Sequence, residues 1–415
     1  MSPLLPLVIG LLGQAPASGR VMLVFGGDVI PHEPVKRAAK VHARHGEDAA
    51  NHEGWDHVFG PLSLVFRRAD LAVVNLETPI TTARRPLRGN KVFNAAPSLL
   101  GGLKAAGVSV ATFANNHCRD QGLEGIAETR RHLEEAGLLA TGAAPAREQA
   151  WQPLVVERNG LKLGFLSFTR SLNGFENTRR DGDPFVPVVP YPGKTMTGGT
   201  TAEELAERVR AISGQVDALV VTAHWGVEYA PGPRVEDRAL AGALIEAGAV
   251  AVVGHHPHVL QSVEPLRRAD GGVGLVAFSL GNLVSNQDMP RANSLKRDGM
   301  LLEVELLRDA ATGRVRLGKV VPVPLWTENR AAPGKPRNVQ PVLLDQELGA
   351  MDERLVTLAG RTDRASRAEA RVLAARRALA LARRVRILGL MSPPWAEGTG
   401  SPVGLAPGSS SQLDR

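Results

Sequence analysis

Three histidines fall within the string GHHPH (254–258), which ends the apolar run AVAVV (249–253), although the 415-residue chain has only 11 histidines. Imidazole, carboxylate and carboxamide are the ligand types for borderline-hard divalent ions such as Zn²⁺, Mn²⁺ or Fe²⁺. On an extended segment side chains alternate with period two. His256 and His258 are therefore expected on one side, able to chelate one centre or to reach two. Pro257 between them removes backbone freedom before an ion arrives. The competing reading is a polar loop, and the residues at the ends of the other apolar runs decide between them.

Five further strand-like runs end in the same kinds of side chain. VMLVF (21–25) is followed by Gly-Gly-Asp28, LAVV (71–74) by Asn75 and Glu77, and VSVATF (108–113) by Asn115, Asn116 and His117. ALVVTA (218–223) leads into His224, and GLVAFS (274–279) into Asn282. In an open α/β sheet ligands bind outside the carboxyl ends of the strands, so these residues are expected at one rim. Singly, each has an ordinary explanation. Asp28 could cap a helix or sit in a turn, Asn115 and Asn116 could occupy left-handed positions, and His132 on the 122–137 helix reads as a surface residue.

Taken together, one Asp, one Glu, one Asn and three His can serve two metals about 3.5–4 Å apart. Glu77 and Asp28 are the candidate bridging and terminal carboxylates. A bridging hydroxide would be the nucleophile, because a bound cation lowers the pKa of water. A histidine that is not a ligand can protonate the leaving group. His117 suits that role, because its neighbour Asn116 can ligate and Asp120 can orient the imidazole. Cys118, the sole cysteine, excludes an intramolecular disulfide and a Cys-based cluster. A thiol nucleophile there lacks a second histidine and an oxyanion element.

The elements that must position these residues alternate. Helical patterns at 57–69, 97–107, 122–137, 202–213 and 235–248 separate the strand candidates, which implies an α/β domain over about 20–325. Thr201 with Glu204 is a capping-box pattern. Residues 170–200, rich in Gly and Pro, read as a long loop, and such loops are often functional. Residues 326–390 read as a Pro-rich linker and a basic helical extension, and 391–415 as a disordered tail. The net charge of +7 gathers in the Arg-rich 361–386 segment. It reads as a helix packing its Leu/Ala/Val side on the body, or else as a contact for an anionic polymer or membrane. Nothing in the chain is a nucleic-acid motif. Leu4–Leu12 is too short to span a bilayer, and Ala15-Pro16-Ala17 resembles a cleavage site, so 1–19 is expected to be a signal peptide. That places the protein outside the cytoplasm; a frayed N-terminus of a cytoplasmic protein is the alternative. No later run is long enough to span a membrane.

The strings GGDV (26–29), ADLAVVNLETPIT (69–81), FANNHCRDQG (113–122), HWGVEY (224–229), GHHPHVLQ (254–261) and SLGN (279–282), in this order, resemble the CapA family of capsule-synthesis proteins linked to poly-γ-glutamate. That family in turn resembles the calcineurin-like metallophosphoesterases. The resemblance implies a metallophosphoesterase-like four-layer α/β/β/α sandwich with a C-terminal helical extension, and two divalent ions (Mn, Zn or Fe). It implies metal ligands at Asp28, Glu77, Asn116, His224, His256 and His258, with His117 and Asp120 catalytic. Asn75, Asn115, Trp225, Glu228, His255 and Asn282 are then left as substrate contacts, with Tyr229 beside the cleft. The chain departs from the phosphoesterase pattern at Asp-x-His: Ile30 stands where the histidine belongs, and His32 is at another spacing. Phosphatase activity is therefore doubtful. The implied function is a metal-dependent hydrolase or transferase acting on an anionic cell-envelope polymer such as poly-γ-glutamate, with capsule-synthesis ligases as candidate partners. The alternatives are a non-catalytic polyanion-binding capsule-assembly protein and a phosphodiesterase or phosphatase.

Overall fold

A computed structural model describes residues 19–44, 52–83, 92–287, 294–330 and 338–392. All of the expected signal peptide except Gly19, and all of the expected tail except Met391 and Ser392, lie outside these residues.

Two sheets form the centre. In the first, β1 (Arg20–Val29), β2 (Leu71–Leu76), β3 (Val110–Phe113) and β4 (Leu139–Gly142) run parallel. The second holds β5 (Leu154–Arg158), β6 (Leu161–Thr169), β7 (Ala218–His224), β8 (Ala249–His255), β9 (Val263–Arg267) and β10 (Val273–Ala277), in the order β5-β6-β7-β8-β10-β9. The first sheet is completed by β11 (Asn282–Val284), parallel to the end of β1, and by the antiparallel β12 (Asp298–Arg308), β13 (Val315–Arg330) and β14 (Asn338–Leu343).

Strand alternation builds the layers. Val21, Leu23 and Phe25 of β1 face Leu163, Phe165, Val220 and Val253 of the other sheet in a shared inner core. Val24, Ala72 and Val74 point outward. There they meet α1 (Glu33–Arg44), α2 (Trp55–Phe59), α3 (Ser63–Arg67), α4 (Ser98–Ala106) and the end of α5 (Gly122–Glu135). The outer face of the second sheet is covered by α6 (Arg147–Ala150), α7 (Ala202–Ser213) and α8 (Val235–Glu246). The Thr201–Glu204 capping box is formed at the start of α7. The architecture is the four-layer α/β/β/α sandwich.

The C-terminal part differs from its expected separation. The boundary at 325/326 falls inside β13, and β14 belongs to the first sheet. Pro322 and Pro324 sit within β13 opposite Leu302 and Met300, and prolines of this kind hide a strand from sequence reading. Helices α9 (Leu344–Leu358) and α10 (Arg364–Leu388) pack back on the inner core through Leu348, Met351, Ala380 and Ile387. The arginines of α10 are largely engaged in ion pairs. Arg376 pairs with Glu328 and Glu347, Arg377 with Asp352, Arg384 with Asp345, and Arg386 with Asp298.

Arg383 is fully buried, pairs with Asp298 and lies over Trp326, whose ring also receives Arg297; the guanidinium carbons stand 4.7 and 4.4 Å from the ring centroid. Removing the sole partner of a buried charge costs about 3–5 kcal/mol. Because Arg386 still faces Asp298, Arg383→Ala should lower unfolding stability by less, about 1–3 kcal/mol, in a denaturant titration. A loss below about 1 kcal/mol would show that the pair does not anchor α10.

Candidate metal centre

Asp28 owes its position to a break in strand regularity. The register of β1 against β2 shifts between Phe25 and Asp28, and against β11 between Asp28 and Val29. Such bulges bend a strand and re-aim a side chain. At Gly27 a Cβ would lie 2.1 Å from the Gly281 carbonyl oxygen, so only glycine allows this approach. The Asp28 N–H donates to that same oxygen at 3.0 Å. The Asp28 carboxylate is buried and accepts from Asn75 Nδ2 at 2.8 Å. The same carboxamide nitrogen is 3.3 Å from His224 Nδ1.

Glu77 follows the end of β2 and is wholly buried, and among the described residues neither of its carboxylate oxygens has a hydrogen-bond partner. Its Oε1 lies 3.3 Å from His224 Nε2 and 3.7 Å from His258 Nε2. Two groups of donor atoms share it: Asp28, Glu77 and His224, and Glu77, His256 and His258, each with its atoms within 4.8 Å of one another. A buried carboxylate without donors is costly, and a shared cation is what such a donor set fits.

The charges agree with that fit. Burial pushes Glu77 well above the ordinary glutamate range, and the negative charges of Asp28 and Glu228 add to it. For Asp28 burial acts upward too, but hydrogen bonds from His255 and His258 outweigh it and hold the group well below the usual range. Burial, then the charge of neighbouring imidazoles, lowers His224 well below its ordinary value and His256 to about 4. Neutral imidazole is the ligating form.

The GHHPH segment is not extended beyond its first histidine, which corrects the period-two expectation. β8 ends at His255; His256 and His258 then take φ values of 98° and 57°. Non-glycine residues rarely adopt this left-handed region, and its cost persists only where surroundings enforce it. Three hydrogen bonds do so here. The His256 N–H donates to Asp28 Oδ2 at 3.2 Å, the Tyr229 N–H to the Pro257 carbonyl at 2.7 Å, and Asn282 Nδ2 to the His258 carbonyl at 3.2 Å. His256 Nδ1 ends 3.2 Å from His224 Nε2, and His258 Nδ1 3.2 Å from Asp28 Oδ2.

The turn after β3 carries Asn116 and His117. Asn115 Nδ2 donates to the Leu76 carbonyl at 2.8 Å, and its Oδ1 accepts the His117 N–H at 3.1 Å, which fixes the turn. Asn116 Oδ1 then faces His224 Nε2 at 2.8 Å. His117 Nδ1 is 2.7 Å from Asp120 Oδ2, which also accepts the Phe93 N–H at 2.7 Å. His117, His258, Glu228 and Tyr229 line a cleft of about 850 Å³, which Lys36, Lys40 and Trp55 also line.

A family model described as bacterial capsule synthesis protein PGA_cap matches residues 22–287. The chain belongs to this family. The capsule biosynthesis protein CapA of Bacillus anthracis is 30% identical over 278 residues, 65% of this chain and 62% of that one. The chain thus spans under two thirds of that relative's length. The PGA biosynthesis protein CapA of Bacillus subtilis (strain 168) is 29% identical over 316 residues, 74% of each chain. A probable polyglutamine synthesis accessory protein of Mycobacterium tuberculosis is 26% identical over 263 residues, 61% of this chain and 66% of that one.

In this PGA_cap chain the residues expected at the substrate divide. Glu228 and Tyr229 border the cleft, whereas Asn75, Asn115, Asn282, Trp225 and His255 are buried and outside its lining. Trp225 packs against Phe168 and Phe278 and donates its indole N–H to the Phe278 carbonyl at 3.0 Å, so it belongs to the core. His255 Nδ1 stands 3.1 Å from Asp28 Oδ1, and Asn282 braces the His258 loop. Asn75, Asn115, Asn282 and His255 instead contact the candidate donors or the turns that carry them. Ile30 is core, while His32 lines the cleft edge-on to Phe93 and joins neither donor group. His132 is buried between Glu128 and Glu135 instead of lying on the surface, since α5 turns that face inward. Cys118 is buried and its thiol is pushed upward by that burial, which removes the thiolate reading. Two contributors escaped sequence reading: Phe93, packed at a tilt against His117 with ring centroids 4.2 Å apart, and Asn173, bonded to Asn116. For Asn173 the Asn-Gly turn dipeptide was the available signal.

Proposed function

We propose that this PGA_cap protein is a metal-dependent hydrolase or transferase that cleaves or transfers an amide or ester bond in an anionic cell-envelope polymer such as poly-γ-glutamate. The observation that carries this reading is Glu77: a buried carboxylate with no hydrogen-bond partner on either oxygen among the described residues, common to two groups of candidate ligands. Asp28, Asn116 and His224 would hold one divalent ion with Glu77, and His256 and His258 a second. Such ions, when bound, polarise a scissile carbonyl and lower the pKa of water. The chain's own residues do the rest. His117, with Nδ1 held by Asp120, presents its other ring nitrogen to protonate the leaving group. Phe93 packs against the imidazole at a tilt of 42°. Lys36 and Lys40, one helical turn apart on α1, bring two ammonium groups to the cleft that suit carboxylates, alongside Glu33, Glu53 and Glu228.

The names of the Bacillus relatives support the polymer class, and capsule-synthesis ligases remain the proposed partners. An extracytoplasmic location follows from the same reading; among the described residues no helix is long and apolar enough to cross a membrane.

The test is elemental analysis of purified protein, followed by assay on γ-glutamyl amide and phosphodiester substrates. The expected result is a bound transition-metal ion, γ-glutamyl turnover, and loss of both in the His256→Ala/His258→Ala variant. Metal-free wild type that stays inactive when supplied with Mn²⁺ or Zn²⁺ would sink the catalytic reading and leave a polyanion-binding scaffold. Turnover confined to phosphodiesters would replace the substrate class.

A further inference from the structure

The long segment between β6 and α7 reaches the side chain of a candidate ligand through Asn173. Asn173 and Gly174 both have positive φ, 52° and 84°, and form a tight turn; asparagine is among the few residues that accept this conformation readily. From this exposed turn, Asn173 Oδ1 accepts a hydrogen bond from the buried Asn116 Nδ2 at 3.1 Å. The turn is also pinned to the same motif by Arg119, whose Nη1 donates to the Glu176 carbonyl at 2.5 Å and whose guanidinium lies 6.0 Å from the Phe175 ring.

A carboxamide has two nearly isosteric ends, and only its oxygen ligates a cation. With Nδ2 bound to Asn173, Asn116 Oδ1 is turned toward His224 Nε2 at 2.8 Å. Without that acceptor the amide is free to rotate and present its NH₂ group to the site. We propose that Asn173 is a positioning residue that fixes the orientation of the Asn116 carboxamide, and so makes the 170–200 loop part of the ion site. This rests on reading Asn116 as an ion ligand.

Two substitutions separate the side chain's role from the turn's. Asn173→Gly removes the acceptor and tolerates positive φ; Asn173→Asp keeps an acceptor oxygen. Affinity for Mn²⁺ is measured by calorimetry, the visible absorption of the Co²⁺-loaded protein is recorded, and the melting midpoint is taken in chelator. Partners that orient ligands typically contribute 10–100-fold in metal affinity. Asn173→Gly should therefore weaken Mn²⁺ binding about tenfold or more and alter the Co²⁺ bands, with the chelator midpoint unchanged. Asn173→Asp should stay within about threefold of wild type. Unaltered binding in Asn173→Gly, or equal weakening in Asn173→Asp, overturns the proposal. So does a lowered chelator midpoint with unchanged Co²⁺ bands, which marks a merely structural role. Asn116→Ala binding as tightly as wild type overturns it while leaving the Glu77-centred site standing. Wild type that binds neither ion removes both.

Discussion

Glu77→Gln should abolish ion binding and turnover while making the metal-free protein more stable than wild type. The two effects have one cause. The carboxylate is fully buried beside Asp28, and among the described residues neither oxygen receives a hydrogen bond. Glutamine keeps the shape but brings no charge to bury and no anionic bridge between the two donor groups. A buried group left without partners costs about 1–3 kcal/mol, and relief of that order is expected in chelator. The gain should depend on pH. The folded-state pKa of Glu77 is raised above its ordinary 4.5, so the folded chain holds a proton there that the unfolded chain has released. Wild-type stability then falls as pH rises from about 4.5 through the folded value, and the advantage of the variant widens over that window. Denaturant titrations at pH 5 and pH 8 in chelator, with elemental analysis at pH 8, check both arms. A variant that keeps its ions, or one less stable than wild type in chelator, contradicts the assignment.

His117→Asn should lower turnover about 10²–10⁴-fold, the usual contribution of a positioned proton donor, with metal content unchanged. His117 belongs to neither donor group but lines the same cleft as His258. The loss should shrink to about tenfold or less on a substrate whose leaving group needs no proton, such as an activated aryl ester or anilide. Asp120→Asn should give a smaller loss, because the imidazole keeps its packing on Phe93 while losing its carboxylate partner. Loss of metal in His117→Asn, or an undiminished loss with the activated substrate, would reassign His117 from proton donor to structural support.

Much of the site was legible because the relevant signal is local. A short β-branched run ending in Asp, Glu, Asn or His needs no tertiary knowledge to be seen, and β1, β2, β3, β7 and β8 each deliver their polar residue where the strand stops. The helices α5, α7 and α8 were visible for the same reason, since their periodicity and capping are written within a few turns. The antiparallel β12–β14 unit was not. Its strands are stabilised by one another, and the two prolines in β13 read as linker until β12 is placed beside them.

The sequence by itself determined which chemistry is available: carboxylates, carboxamides and imidazoles at strand ends, with one histidine–aspartate pair beside them. Tertiary structure decided which of these donors converge. Asp28 meets Asn75 and Asn282 because three strands distant in the chain lie side by side. His256 and His258 turn inward through left-handed backbone held by bonds from other loops, and Asn173 reaches Asn116 from a segment with no regular structure. Residue type is encoded one position at a time, whereas the direction a side chain takes at a rim is set by packing between sheets, which no local pattern contains.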